Sequence, residues 1–453
     1  MNKLKSLLFG LITALAVAGF TASNANAASI DSVIHKSQLN KTSTIAVSVK
    51  DAKSGRVIYE YNQNKLMNPA SVQKIFTMKS AYNELGADYA FKTTAYMDKR
   101  GNLYIKLGAD PTLTRGSLIT LLKSVKEKYN KPINDIILDP TIIDNKQWGI
   151  GWMWDDDTNA LLPKYSPFSI NENKIEVSII PGKNGSLPEI KNRSSYTMNI
   201  VNLLRNGDSN KIVPERMPWI TSDLTYIKGS IKTPLKIKLP VDSVERYFTN
   251  ELNAALASAG IKHSGALKVA PMPSGLSQVA EISSLSLEEI IGSTLKNSNN
   301  FSSEMIFKTA GSHYAKGQGT TENAVTMFEK YYADIKSDGH VIVDACGISR
   351  NDLMSADWIT DALNKIYKQK DFDDFVVLLP KPMEGTLSDR LLDISLKLRA
   401  KTGTASGISS IAGYIDTKNN KKYSFAILIQ NHSQNTADVK KFEDSIINEI
   451  YKM

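Results

Sequence analysis

The two ends of this chain carry the same pattern, and that constrains the fold more than any other feature. Near the N-terminus, Ile45–Val49 and Val57–Tyr61 cluster β-branched residues around the polar segment Lys50–Arg56, which predicts a hairpin. A helix over Ser71–Leu85 should follow, because Val72, Ile75, Phe76, Tyr82 and Leu85 fall at helical spacing, with Pro69 ahead of them and Gly86 just past them. Near the C-terminus, Ser410–Ile415 and Tyr423–Ile429 flank Asp416–Lys422 as a second hairpin, and Val439, Phe442, Ile446 and Ile450 follow at helical spacing. A hairpin and a helix at each end predict one sheet assembled from both termini.

The middle, about residues 92 to 276, has a different texture. It is rich in Pro and Gly, with short strand-like runs at Leu103–Leu107, Ile136–Leu138, Ile175–Ile180 and Ile231–Leu239, and it reads as inserted β-rich material. Helical spacing returns at Leu287–Leu295 and Met305–Tyr314, so the terminal unit is expected to resume near residue 277. With 453 residues, 42% of them hydrophobic, the chain can bury a core in each of two or three domains.

Met1–Ala27 stands outside that fold. Lys3 and Lys5 precede an apolar stretch from Leu7 to Phe20 that ends in Ala25-Asn26-Ala27, the pattern of a secretory signal peptide. The apolar run is shorter than the ~20 residues a membrane span needs. Export to a periplasm or cell envelope is expected, where ATP-dependent chemistry has little place. The net charge of +9 becomes about +7 without Lys3 and Lys5, a modest excess that suits an anionic envelope surface, with no dense basic run for nucleic acid. The last helix, Val439–Met453, carries Glu443, Asp444 and Glu449, and is expected to pack on the sheet rather than lie on a membrane. A single Cys excludes an internal disulfide and a cysteine-only metal cluster, and the five scattered His residues form no His-Glu-x-x-His. Neither a dinucleotide fingerprint nor a phosphate loop is present.

Three short motifs carry chemistry. Ser71-Val72-Gln73-Lys74 puts a hydroxyl and an ammonium one helical turn apart. Serine is a poor nucleophile at neutral pH, and a neighbouring Lys takes its proton once burial and nearby positive charge lower the Lys pKa. Lys401-Thr402-Gly403-Thr404, at the edge of the C-terminal strands, joins a cation, two hydroxyls and a glycine that admits a ligand to the backbone, a set suited to a carboxylate. Ser298-Asn299-Asn300 lies between them, just before a predicted helix. Each motif alone is weak. Ser293–Lys296 repeats the first, Lys53–Gly55 the character of the second, and Ser169–Asn171, Ser349–Asn351 and Ser433–Asn435 the third. Order and context select among them.

In the order Ser-x-x-Lys, Ser-x-Asn, Lys-Thr-Gly, the chain resembles the serine penicillin-binding proteins and β-lactamases. Ser71 and Ser298 are 227 residues apart, too far for an ordinary β-lactamase. The long insert is similar to that of the D-alanyl-D-alanine carboxypeptidase/endopeptidase family, the class C low-molecular-mass penicillin-binding proteins. Pro69-Ala70-Ser71, Gly108–Leu113, Asn171-Glu172-Asn173, Asp344–Arg350 and Glu384–Leu387 extend the likeness over the chain beyond the export segment. Where the family usually has Asp-Gly-Ser-Gly-Leu-Ser, this chain has Asp344-Ala345-Cys346-Gly347-Ile348-Ser349, and Cys346 is expected to be buried and inert.

The resemblance implies an α+β fold: a transpeptidase-like domain, an antiparallel sheet with helices on both faces, over 28–92 and 277–453. It would be interrupted by an inserted domain over 93–164 and 240–276, itself holding a nested domain over 165–239. It implies acyl transfer on the D-Ala-D-Ala end of a peptidoglycan stem peptide, with no cofactor or metal. Ser71 would be the nucleophile, Lys74 its base, and the N–H groups of Ser71 and Thr404 the oxyanion site, with Ser298 relaying a proton to the leaving amine. Asn300 would hold the substrate backbone, and Lys401, Thr402, Gly403 and Thr404 the terminal carboxylate. Trp152–Asp157 resembles the family's entrance segment, where Asp156 would meet the free amine of the stem's diamino acid, with Arg350 near it. β-Lactams would acylate Ser71, a cross-link would open by the same chemistry, and a homodimer is left open. Two other readings are a β-lactamase or esterase, disfavoured by the long insert and by the lack of an assignable deacylating carboxylate, and a non-catalytic cell-wall binder, disfavoured by intact Ser71, Lys74 and Lys401.

Overall fold

The structure, a computed structural model, describes residues 28–183, 185–217, 221–337 and 339–453. The export segment expected over 1–27 lies outside the described residues.

Five antiparallel strands form the sheet of the termini, in the order Leu398–Ala405, Ile408–Asp416, Lys422–Gln430, Thr44–Asp51, Val57–Tyr61. The N-terminal strand docks directly on the C-terminal hairpin, from Thr44 opposite Gln430 to Asp51 opposite Tyr423. The inner strands are buried almost throughout, because both faces are covered. One face presents Val47, Ile411, Ile427 and Ile429 to the terminal helix Thr436–Tyr451, which buries Val439, Phe442, Ile446 and Ile450 against them. That apolar helical face is therefore taken up by the sheet, as expected. The other face presents Ala46, Ala412, Ala426 and Leu428 to the helix Ala356–Tyr367, and the helices Lys74–Leu85 and Leu287–Asn297 join the same core. Its small residues let the nucleophile-bearing segment approach closely.

The helix expected from Ser71 begins later as an α-helix. Ala70–Gln73 forms a 3₁₀ turn and the α-helix runs Lys74–Leu85. Ala70 sits at a φ of 45°, which re-aims the chain as it leaves Pro69, so Ser71 lies on a tight turn ahead of the helix proper.

The intervening chain builds a second five-stranded sheet, in the order Leu267–Val269, Ile136–Asp139, Leu103–Lys106, Lys92–Met97, Ser277–Ser283. Ser277–Ser283 pairs with Lys92–Met97 here, from Ser277 opposite Met97 to Ser283 opposite Lys92. Two helices missing from the β-rich reading pack on this sheet: Arg115–Lys128, with Leu118, Leu121, Leu122 and Val125 buried, and Val244–Ala259, with Tyr247, Phe248, Leu252 and Leu256 buried. Two three-stranded sheets follow, one of Leu235–Pro240, Lys174–Ile180 and Glu189–Asn192, the other of Asn199–Asn206, Thr221–Ile231 and Lys211–Met217. The expected run Ile231–Leu239 is thus two strands in two sheets, broken before Leu235 at Pro234, which has no N–H for a ladder.

One small core joins the insert to the terminal unit. Trp152, Leu162 and Tyr165 from the insert pack with Phe301, Met305 and Cys346. This contact brings the loop around residues 150–162 against the helix Asn300–Ala315, and so positions the site.

Candidate active site

Three segments distant in sequence meet at Lys74. Its ammonium is fully buried and donates to Ser71 Oγ at 2.9 Å, to Asn300 Oδ1 at 2.6 Å and to the carbonyl oxygen of Cys346 at 2.7 Å. Burial pushes the Lys74 pKa below its ordinary value against the opposing pull of Cys346, Asp344, Glu304 and Asp352. A lysine so placed can be neutral and accept the Ser71 proton.

Lys401 lies beside it on the edge strand Leu398–Ala405, also fully buried. Its Nζ donates to Ser298 Oγ at 3.0 Å and to the Thr402 carbonyl at 2.7 Å. Burial first, then the charge of Lys74, holds its pKa well below the ordinary value. Two ammonium groups in one dry site oppose each other. A bound carboxylate would favour the charged form of Lys401, and that charge in turn would favour neutral Lys74.

Ser298 ends the helix Leu287–Asn297 in the left-handed conformation, at a φ of 55°, and Asn299 caps the next helix by accepting from the Ser302 N–H at 3.1 Å. This back-to-back helix junction turns Ser298 and Asn300 into the site. Asn300 is oriented at both ends of its amide, since Nδ2 donates to the Leu161 carbonyl at 3.0 Å. Gly403 is required by packing: a Cβ there would lie 2.3 Å from Ser410 Oγ, 2.8 Å from the Pro69 carbonyl and 2.9 Å from Ala70 Cβ. The edge strand therefore lies directly against the turn that carries Ser71, and Ser410 Oγ donates to the Pro69 carbonyl at 2.7 Å to hold it there.

These groups open into a cavity of about 570 Å³ lined by Ser71, Ser298, Asn300, Thr402 and Thr404. Asp156 and Arg350 line it as well. The three acidic residues of the entrance segment separate by environment. Asp155 is exposed, Asp156 is half-buried, and Asp157 is buried in ion pairs with Arg216 and Lys164, each at 2.8 Å. Burial, then the charge of Asp155, pushes the Asp156 pKa up. Arg350 is exposed and reaches the Ser406 carbonyl at 3.5 Å.

Several contributors carry no motif of their own. Thr386 accepts from Thr402 Oγ1 at 2.7 Å. The segment after Asp344 wraps round its carboxylate, which accepts the N–H groups of Cys346, Gly347, Ile348 and Ser349 and the Trp152 indole N–H. Glu304 accepts from the N–H groups of Ala345 and Cys346, at 2.9 and 3.1 Å. Together these two carboxyl groups aim the Cys346 carbonyl at Lys74. The Cys346 thiol is buried, and burial raises its pKa well above the ordinary value, which makes it inert. Asp344 and Thr386 lie in stretches that carried the family likeness; Glu304 and Leu161 act through a buried side chain and a backbone carbonyl, for which a sequence offers no signal.

Residues 26–449 match the D-Ala-D-Ala carboxypeptidase 3 (S13) family. The chain is 24% identical to the D-alanyl-D-alanine carboxypeptidase DacB of Haemophilus influenzae, with both chains covered completely. It is 26% identical to a D-alanyl-D-alanine carboxypeptidase of an Actinomadura species, over 85% of this chain and 78% of that one. Among solved structures, penicillin binding protein 4 of Haemophilus influenzae superposes with a TM-score of 0.84 at 23% identity, over 94% of this chain and 99% of that one. The same protein complexed with a β-lactam gives 0.79.

Proposed function

The chain belongs to the D-Ala-D-Ala carboxypeptidase 3 (S13) family, and from that premise we propose how its residues cleave the D-Ala-D-Ala end of a peptidoglycan stem peptide. The protein is a serine-type D-Ala-D-Ala carboxypeptidase, a hydrolase of the cell wall. One observation carries the assignment of roles: Lys74 Nζ is shared among Ser71 Oγ, Asn300 Oδ1 and the Cys346 carbonyl while Lys401 Nζ holds Ser298 Oγ, all beside one cavity.

The substrate's terminal carboxylate binds Lys401, Thr402 and Thr404, and its charge favours protonated Lys401. Ser71 Oγ attacks the carbonyl of the penultimate D-Ala and Lys74 Nζ takes its proton. The N–H groups of Ser71 and Thr404 receive the oxyanion, and the close fit of strand to turn at Gly403 supports that pairing. Ser298 Oγ relays to the leaving amine the proton that Lys74 took from Ser71, which returns Lys74 to its neutral form and leaves Lys401 charged. The C–N bond breaks, D-Ala leaves, and water hydrolyses the ester on Ser71. A D-Ala to diaminopimelate cross-link opens by the same steps, which makes the enzyme an endopeptidase as well. A β-lactam acylates Ser71 in place of the peptide. At the entrance, Asp156 meets the free amine of the diamino acid, with Arg350 setting the field beside it.

Lys3, Lys5 and the apolar stretch behind them support export to the periplasm or envelope, where this substrate lies. Among the described residues no helix is long and apolar enough to cross a membrane. Digestion of purified muropeptides by the wild type and by Ser71→Ala, followed by mass analysis, tests the assignment. Loss of one D-Ala from pentapeptides by the wild type alone is expected; equal product from both would refute it.

A further inference from the structure

Asn299 sits between Ser298 and Asn300, yet its side chain turns away from the catalytic groups to the insert. Its Nδ2 donates to Glu172 Oε1 at 2.7 Å. Glu172 is the middle of three successive residues, Asn171, Glu172 and Asn173, with φ of 50°, 51° and 52°. Left-handed backbone costs a non-glycine residue about 1 kcal/mol or more, so three in a row persist only where the surroundings impose them.

The surroundings do so from both flanks. Asn171 donates its N–H to the Leu113 carbonyl at 2.8 Å and its Nδ2 to Tyr247 Oη at 3.0 Å. Asn173 donates Nδ2 to the Lys164 carbonyl at 2.8 Å and to Ser169 Oγ at 2.9 Å, and its carbonyl accepts from the Val241 N–H at 2.9 Å. Both asparagines therefore fasten the turn to the insert, while Glu172 between them points the other way. Its second oxygen is held by Lys174, which fixes the carboxylate. The amide of Asn299 thus has two fixed ends: Oδ1 caps the helix Asn300–Ala315 and Nδ2 is anchored to the insert.

The consequence lies at the neighbouring residues. Ser298 Oγ is 3.0 Å from Lys401 Nζ and Asn300 Oδ1 is 2.6 Å from Lys74 Nζ. A rotation of the turn about Asn299 would move both contacts at once. We propose that Glu172 is a positioning residue for the reaction: through Asn299 it fixes the Ser298–Asn300 turn against the two lysines, which makes the insert part of the apparatus that sets acylation. This rests on the roles given above to Ser298 and Asn300, and the strained Asn-Glu-Asn turn exists to aim one carboxylate.

The test is the rate of acylation by a fluorescent penicillin, with kcat and KM for a D-Ala-D-Ala peptide and a melting curve alongside. Glu172→Ala removes the anchor, and Asn299→Asp keeps the capping oxygen while removing the donor. Each should acylate about tenfold more slowly, with kcat reduced and KM within twofold of wild type. Glu172→Gln combined with Asn299→Asp reverses the direction of the hydrogen bond and should recover most of the lost rate. Wild-type acylation by both single variants would overturn the proposal, and so would a double variant as slow as Asn299→Asp alone. If Glu172→Ala does not fold, the comparison of Asn299→Asp with the double variant decides alone. Failure of wild type to acylate at Ser71 would instead refute the underlying mechanism, and is distinguishable.

Discussion

Glu304 is a buried carboxyl group beneath the catalytic lysine, and its protonation should be visible in stability. It is fully buried, and burial together with the charge of Asp344 pushes its pKa up to about 8, against the Cys346 thiol, the Ala345 N–H and the charge of Lys308, which favour the ionised form. In the unfolded chain a glutamate titrates near ~4.3. Between these values the native state holds a proton that the unfolded state has lost, so stability is greatest below the unfolded pKa and falls as pH rises, until the folded pKa is passed near 8. Each pH unit inside that window costs about 1.4 kcal/mol. From pH 5.5 to 7.5 the loss is roughly 2.7 kcal/mol by that slope, or a fall of about 3 °C in Tm for a chain of this length. Glu304→Gln keeps an oxygen for the two N–H groups and cannot ionise, so it should lack this component. Asp352, which burial also holds well above the usual carboxylate range, titrates in both proteins and drops out of the comparison. The assay is thermal melting of wild type and Glu304→Gln at both pH values. The Tm gap should move by about 3 °C in favour of the variant at the higher pH; a gap that stays constant would mean Glu304 is ionised throughout and refute the reasoning.

Three further outcomes follow from the geometry. Gly403→Ala drives a methyl into Ser410 Oγ and the Pro69 carbonyl, so it should cost about 1–3 kcal/mol in stability and slow penicillin acylation by more than tenfold; wild-type melting and acylation would contradict the close packing. Lys401→Met removes a charged partner worth about 1.5–3 kcal/mol to a carboxylate, and should lower kcat/KM by roughly 10- to 100-fold for a peptide ending in a free carboxylate but much less for its C-terminal amide. An equal loss on both peptides would show that Lys401 acts elsewhere. Asp156→Ala should erase the preference for stem peptides whose diamino acid carries a free amine over acetylated ones; an unchanged ratio would remove Asp156 from the binding site.

The parts of the fold legible in the sequence are those where periodicity and burial coincide. The inner strands Thr44–Asp51 and Lys422–Gln430 are nearly continuous apolar runs, and pairing both ends into one sheet follows from their likeness. The helix Arg115–Lys128 was legible in principle from Leu118, Leu121, Leu122 and Val125, and Val244–Ala259 from Tyr247, Phe248, Leu252 and Leu256, but short strand-like runs on either side obscured them. The break between Ile231 and Leu235 depends on which sheet each strand joins, a tertiary choice that local propensity does not make. At the site, Ser71, Lys74, Ser298, Asn300 and Lys401 stood out by order and spacing. What surrounds them did not. Glu304 is an ordinary acidic residue until the fold places it beneath the Cys346 peptide, and Glu172, though in a stretch that carries the family likeness, shows its partner only when the fold sets it against Asn299.

The central claim is that Ser71, activated by Lys74, becomes the acyl-enzyme. Its most direct test is mass spectrometry of the intact protein and its proteolytic peptides after exposure to penicillin. One equivalent of adduct on the peptide containing Ser71 is predicted for wild type, with none on Ser71→Ala and at most a trace on Lys74→Met. An adduct at any other residue, or an unmodified Ser71 after full exposure, would contradict the account.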